Sequence, residues 1–433
     1  MNNKKNITII PKYRFSKYKN AENWELLEFG NVFNFMQTNC FARVHMNNKE
    51  GIVRNIHYGD ILIKYPTILK NESSIPFLNK DVDLFKFKRN SYVKNGDIII
   101  ADTAEDLTAG KAIEVQNING DILAGLHTFL CRPKFVHSPM FLGYYLNSQT
   151  YHNKLKPFLT GVKVYSISKG NIIKTPIARP KDIGEQKKIA ECLNSIDELI
   201  AGEEDKLKEL KNHKKGLLQK LFPKNNSSNP ELRFPEFKED WQSIKLKDIS
   251  IYQNGTSYEN QIDDKGNFYL ITLNSLDIEG NLKQEHKKIK TPEWVLNKDD
   301  LVMVLSDVAH GNFLGLTDII PENDKYVLNQ RMALLRIKKD YNVKFIRYYI
   351  NHNQQYFKSI GQGSSQKNLA KDAILNFDIL NPSKKEQDKI SECLSSISDM
   401  ISAQIEKIEA LKLYKKGLMQ GLFPSLEEVK DES

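Results

Sequence analysis

The residues of this chain that could do chemistry sit in polar loops bordered by glycine, and their types suit holding a ligand better than reacting with one. Arg43 closes residues 37–43, and Lys163, Tyr165, Ser166, Ser168 and Lys169 lie between Gly161 and Gly170. Thr256 and Tyr258 follow Gly255, Asn329, Gln330 and Arg331 are consecutive, and Ser364, Ser365, Gln366 and Lys367 follow Gly363. Arg and Lys grip phosphates, while Asn, Gln, Ser and Thr carry the donors and acceptors that match base edges. Loops are also polar because they are solvated, so composition marks candidates, not contacts. Catalytic motifs are missing. The sequence has no HExxH and no His/Cys cluster at metal spacing, and Gly110-Lys111 lacks the upstream glycine and the following Ser/Thr of a P-loop. Gly361-Gln362-Gly363 opens like a dinucleotide fingerprint, but has no third glycine and follows a helical pattern where a strand is needed. Asn381-Pro382-Ser383-Lys384 is not the Asn-Pro-Pro-aromatic motif of an amino-methyltransferase, and Glu236-Phe237-Lys238 has a nuclease-like spacing without a partner acid. The expectation is a chain with no catalytic residue, no metal ligand and no cofactor of its own.

Two long stretches must position these loops. Residues 185–223 return as residues 386–424 with roughly half the positions identical and no gap. In the first copy Ile189, Leu193, Ile196, Ile200, Leu207, Leu210, Leu217 and Leu221 recur at intervals of three and four. The second copy answers with Ile390, Leu394, Ile397, Ile401, Ile408, Leu411, Leu418 and Leu422. That is a heptad seam, so each copy predicts a long helix seeking a partner. The polar breaks coincide too, Glu203 with Gln404 and Lys214 with Lys415, so each seam is built to meet the other. The Lys-rich clusters 211–215 and 412–416 read as macrodipole complements before a Gly/Pro stop, with DNA contact or partner docking as the other readings.

The intervening parts repeat as well, more weakly. Residues 241–252 match 24–35, 300–303 match 97–100, 327–336 match 123–132, 345–351 match 141–147, and 374–382 match 172–180, all in order. Short strands are expected at 60–63, 95–100 and 172–177, a strand entry at 24–35 and a helix within 140–156. The fold class is therefore α+β: two mixed α/β domains in tandem, separated by two long helices that form an antiparallel coiled coil with internal pseudo-two-fold symmetry. The antiparallel sense follows from connectivity. A compact second domain with neighbouring termini brings the end of the first helix beside the start of the second. About 37 helical residues would span roughly 55 Å. The expected boundaries are a first domain at 1–184, helices at 185–223 and 386–424, a second domain at 224–385 and a tail at 425–433.

At 433 residues the chain is too long for one core, and its net charge of +9 and pI near 9.0 favour a polyanionic partner. Residues before 185 carry about +11, more than the whole excess, although a Lys- and Asn-rich composition also follows from AT-rich coding. No apolar run reaches membrane-spanning length and the basic N-terminus has no apolar segment after it, so a cytoplasmic protein is expected. Cys40, Cys131, Cys192 and Cys393 form no CxxC pair, and antiparallel helices would keep Cys192 and Cys393 apart, so no disulfide joins them.

These residues resemble the specificity subunit of type I restriction–modification systems over nearly the whole chain. The resemblance rests on the paired Glu-Gln helices, each ending Lys-Lys-Gly-Leu-x-Gln-x-Leu-Phe-Pro, and on residues 232–237 (LRFPEF) followed by Trp241. The first repeat keeps Arg14-Phe15 and Trp24 without the Pro-Glu-Phe, which leaves its N-terminal edge open. Such a resemblance implies two target-recognition domains, each reading half of a bipartite double-stranded DNA site, with the helices setting the gap and docking two methyltransferase subunits. It also implies S-adenosylmethionine on the methyltransferase, ATP and Mg on a restriction motor subunit, and no membrane. The competing readings are a coiled-coil scaffold or adaptor, a specificity module of a related methyltransferase or restriction system, and an enzyme whose motifs are not visible.

Overall fold

The computed structural model describes residues 9–224, 227–308 and 311–425. Residues 1–8 of the basic N-terminal stretch and 426–433 of the expected tail lie outside the described residues. Two helices of 39 residues, Ile183–Leu221 and Lys384–Leu422, stand where the seams are. Both run straight through Gly216 and Gly417 and end at the Leu-Phe-Pro triplets. The lysine clusters therefore lie well before the final turn, beyond the short reach of macrodipole compensation. Lys415 instead pairs with Asp197 and sits 5.3 Å from the centre of the Tyr144 ring, and Lys214 lies over Tyr348.

Contacts divide the chain into two compact units, residues 1–204 with 407–433 and residues 205–406. Each holds one globular domain, the opening half of the helix that follows it, and the closing half of the other helix. In the first unit Lys407 meets Glu203, Lys412 meets Glu204 and Lys415 meets Asp197, so the segments run antiparallel. Leu418, Met419, Leu422 and Phe423 pack with Ile189 and Leu193 in one core. In the second unit Leu217, Leu218, Leu221 and Phe222 share a core with Ile390 and Leu394. Of the seam residues, Leu193, Ile200, Leu394, Ile397, Ile401 and Ile408 are buried, and Ile196, Leu207, Leu210 and Leu411 half-buried. All four cysteines are free.

The globular domains share one plan, each larger sheet of the second having one strand fewer. The first has a sheet ordered Phe33–Met36, Thr128–Pro133, Ile98–Ala101, Ala112–Val115 and Ile68–Leu69. The second has Ser250–Asn254, Met332–Ile337, Leu301–Val304 and Thr317–Ile319 in the same order, without the last strand. A second sheet in each contains a parallel pair, Ile122–Ala124 with Arg54–Ile56 and Phe268–Ile271 with Tyr326–Leu328. The ladders are mostly short. Buried Asp97 accepts two hydrogen bonds from Arg132 beside the first sheet, as Asp300 does from Arg336 beside the second. Asn147 and Asn351 each exchange two hydrogen bonds with strand backbone, at Ala112, beyond the reach of the two-residue strand Ile68–Leu69, and at Thr317 of an edge strand, replacing a missing neighbour.

Two local expectations are corrected. Residues 60–63 belong to a helix, Tyr58–Ile63, because His57 caps its start by accepting from the Gly59 amide. Residues 169–172 form a helical turn, Lys169–Ile172, capped by Ser168, and the strand begins only at Pro176. The helix within 140–156 is two, Phe141–Leu146 and Gln149–Leu155, with Ser148 capping the second. Among the described residues no helix is long and apolar enough to cross a membrane.

One buried carboxyl gives the first unit a pH dependence. Glu114 is fully buried and accepts from the Met140 and Gly143 amides and from Gln116, yet burial outweighs these donors and pushes its pKa up from 4.5 to about 7. Between those values the native state keeps a proton that the unfolded chain has released, so stability falls as pH rises through that window. The total loss is on the order of 3 kcal/mol. Glu114→Gln is expected to flatten the dependence of the first unit's melting temperature on pH between 4.5 and 7; an unchanged slope would place the titration elsewhere.

Candidate nucleic-acid interface

The two glycine-bordered loops prove to be one structure built twice. In the first unit Thr160 and Ser166 exchange backbone hydrogen bonds of 2.9 and 2.8 Å, closing a tight hairpin. In the second, Gln362 and Asn368 do the same at 3.0 and 2.8 Å. Gly161 (φ +120°) and Gly363 (φ +115°) make both turns possible. A Cβ on either would lie 1.8 Å from the Val164 carbonyl oxygen or 2.1 Å from that of Gln366, so no side chain fits. The returning strands pair antiparallel with matching neighbours, Tyr165–Ser166 with Thr103–Ala104 and Gln366–Asn368 with Ser306–Val308.

This register sets different side chains on one backbone. Lys163, Ser364 and Ser365 are exposed, and Tyr165, Ser166, Gln366 and Lys367 half-buried. Ser168 is a cap, accepting from the Asn171 amide at 3.2 Å. Lys169 lies 4.7 Å above the Phe35 ring. Its counterpart Lys371 lies 5.4 Å above Tyr252, the residue aligned with Phe35. Lys371 was not among the loop candidates, although the repeat alignment places it opposite Lys169.

Arg43 stands apart in sequence but joins the same surface. It lies in a short exposed turn, Arg43–His45, and donates to both oxygens of Asp60 at 2.7 and 3.1 Å. Beside Asp60, His57 has its pKa held below the ordinary imidazole value by burial and then by the Arg43 charge. Tyr58 packs on His57 and, edge to face at 5.3 Å, on His127. His127 adopts φ +53°, a conformation few non-glycine residues take, with Nδ1 3.3 Å from Asp102. Asp102 immediately precedes the hairpin's partner strand, so contacts run from Arg43 to Ser166 without a break. Tyr58 and His127 extend this surface, although neither lies in a polar loop of the sequence.

The remaining candidates divide. Arg331 occupies the place of His127: its carbonyl accepts from Leu305, as that of His127 does from Asp102. It lines a cavity of about 400 Å³ together with Glu259, Thr272, Asn274, Lys287 and Asn329. Gln330 is exposed beside it. Thr256 is half-buried, receiving the Trp294 indole N–H at 3.4 Å. Two residues are buried. Tyr258 is 1% exposed, packed with Leu270, Ile289 and Val327, its hydroxyl accepting from the Glu293 amide. Asn329 is buried and its side chain accepts from the Gln330 amide. Tyr258 is a framework residue, which loop composition could not show, whereas Asn329 still lines the Arg331 cavity. Among the described residues no group of acidic, His or Cys side chains could hold a metal ion.

The family model for the type I restriction modification DNA specificity domain matches residues 21–212 and 238–412. The specificity subunit of type I restriction enzyme MjaVIII from Methanocaldococcus jannaschii is 26% identical over 264 residues, or 57% of this chain, which spans 61% of that relative. The putative type I restriction enzyme MjaX specificity subunit of the same organism is 24% identical over 426 residues, 94% of this chain and 95% of that protein. The crystal structure of the type I restriction–modification S subunit from M. genitalium aligns with a TM-score of 0.57 at 13% identity, covering 96% of this chain and all of that one. A chain from a structure described as underlying complex assembly and conformational transition of the type I R-M system gives 0.58 at 15%, covering 93% and 97%. At such identities the structural likeness concerns the fold.

The glycines carry a direct test. Gly161→Ala should open the first hairpin and Gly363→Ala the second, removing hydrogen-exchange protection at Ser166 or Asn368 while the long helices keep theirs. Retained protection would mean that the backbone tolerates a Cβ there.

Proposed function

The chain belongs to the family of type I restriction–modification specificity subunits, and from that premise we propose that each unit reads one half of a bipartite sequence in double-stranded DNA. The observation that carries this reading is the doubled hairpin. Its backbone, glycine and partner strand are the same in both units, while Lys163, Tyr165 and Ser166 in one are replaced by Ser365, Lys367 and Asn368 in the other. A frame repeated with altered polar side chains suits two domains that approach the same kind of ligand and read different base edges. Exposed Lys163, Arg43 and Gln330 are the outer candidates, with Arg331 and Lys367 behind them.

The helices set the gap between half-sites and dock two methyltransferase subunits, with restriction subunits joining through the complex in the cytoplasm. Half-sites read from one face of B-DNA lie about one helical turn apart. The reaction belongs to the partners: S-adenosylmethionine to the methyltransferase, ATP and Mg to the motor. This chain supplies recognition and positioning.

Two experiments decide the reading. Methylome sequencing of the host with and without the gene should show one bipartite adenine-methylated motif that disappears with it; an unchanged methylome would favour a scaffold. Adding one helical turn to both long helices should lengthen the gap in that motif and leave its two halves intact. Altered half-sites would show that the helices do more than measure.

A further inference from the structure

Phe85 is fully exposed, at 102% of its reference area, although a phenyl ring in water forgoes the burial that stabilises folds. It does not dangle. The Phe87 amide donates to the Leu84 carbonyl at 3.0 Å, making a tight turn, and the Phe85 amide donates to Asp83 at 2.9 Å. Both ends of the turn are anchored in a small core, where Phe87 and Leu84 pack with Val53, Leu78 and Leu123. The fold thus holds the ring outward on a fixed base.

Exposed Asp81 and Asp83 precede the ring, and cations follow it. Lys86, Lys88 and Arg89 are exposed around it, with Lys86 over the Phe41 and Phe87 rings at 5.5 and 5.4 Å and Arg89 paired with Asp121. The lobe is also continuous with the surface described above. Asn79 donates to the carbonyls of Val44 and His45, in the turn that carries Arg43, and Phe41 packs edge-on against Phe87.

Resting on the reading that this unit recognises duplex DNA, we infer that Phe85 is a wedge. Its ring enters a base step in or beside the first half-site, and Lys86 and Lys88 meet the flanking phosphates. Apolar side chains that enter a groove unstack a step and bend the duplex, a cost offset by added backbone contacts. A protein partner would welcome the ring but would have to bury Lys86 and Lys88 beside it, and the centres of protein interfaces, though rich in aromatics, are depleted in lysine.

The test uses the full chain in complex with its methyltransferase, and duplexes bearing the methylated motif with 2-aminopurine placed at successive positions through the first half-site and its flank. The wild-type complex should raise fluorescence at one step. Phe85→Ala should abolish that rise and weaken binding about ten- to a hundredfold, and Phe85→Trp should restore both. The residue is solvent-exposed, so an unchanged melting temperature confirms that folding is not at issue. Wild-type affinity and fluorescence in Phe85→Ala overturn the wedge while leaving recognition intact. Normal DNA binding with loss of the methyltransferase on gel filtration makes Phe85 a protein contact and also overturns it. A wild-type complex that prefers no bipartite duplex removes the reading beneath, and the wedge with it.

Discussion

A carboxylate buried at the start of a helix must be met by a cation, and both units are organised around that demand. Glu185 is 1% exposed and accepts two 2.7 Å hydrogen bonds from Arg14, with the Trp24 indole N–H at 3.3 Å. Glu386 repeats this with Arg233 at 2.8 and 2.9 Å and Trp241 at 3.3 Å. Hydrogen bonding to the carboxylate is the main reason both guanidiniums have pKa values above their ordinary one. The next residues complete the junction: Gln186 bridges Ser138 and Pro180, and Gln387 bridges Asn342 and Pro382. Leaving either charge buried without its partner would cost about 3–5 kcal/mol. That explains why the Glu-Gln pair stands unchanged in both copies while the globular domains have drifted apart. It also fixes the direction in which each helix leaves its domain.

The other ends of the helices close the units in exchange. Phe423, at the end of the second helix, packs against Trp24, Phe141 and Tyr145 of the first unit. Phe222, at the end of the first helix, packs against Phe345 and Tyr349 of the second. The chain entry is tied in as well: Tyr13 donates to the carbonyl of Gly421, and Leu232 to that of Lys220. The second domain closes within one contiguous stretch, residues 205–406, whereas the first does not complete its core from contiguous chain. During synthesis the first must wait for residues more than two hundred positions away, and such long-range closure is slow because loop entropy precedes the reward.

How much of this the sequence displays follows from what each feature depends on. The helices and their antiparallel sense were legible because a heptad seam is periodic and chain connectivity leaves little choice. The repeat of domain plus helix was legible because order survived where identity did not. Strands were read less well. Residues 60–63 look β-like by composition, and only the capping by His57 makes them helical. Site residues were the least legible, since exposure is a tertiary property. Tyr258 looks like a loop tyrosine and is a core residue, while Phe85 looks like a core residue and is bare. Lys371 could have been found by carrying Lys169 across the repeat, as both sit over aligned aromatic rings.

The same distinction governs how the protein can change. What holds each hairpin in place is a glycine with positive φ, two backbone hydrogen bonds and a partner strand, none of which depends on the side chains at the tip. Substitution at Lys163, Tyr165, Ser365 or Lys367 therefore leaves the backbone of either hairpin in place. The frame behind the tip has no such freedom, because Asp97 with Arg132 and Asp300 with Arg336 are charge pairs with a buried carboxylate that only concerted change could replace. A protein so divided keeps its geometry through the Glu-Gln junctions, the seam and the buried pairs. It leaves the side chains of the hairpin tips free to vary, because no part of that frame rests on them.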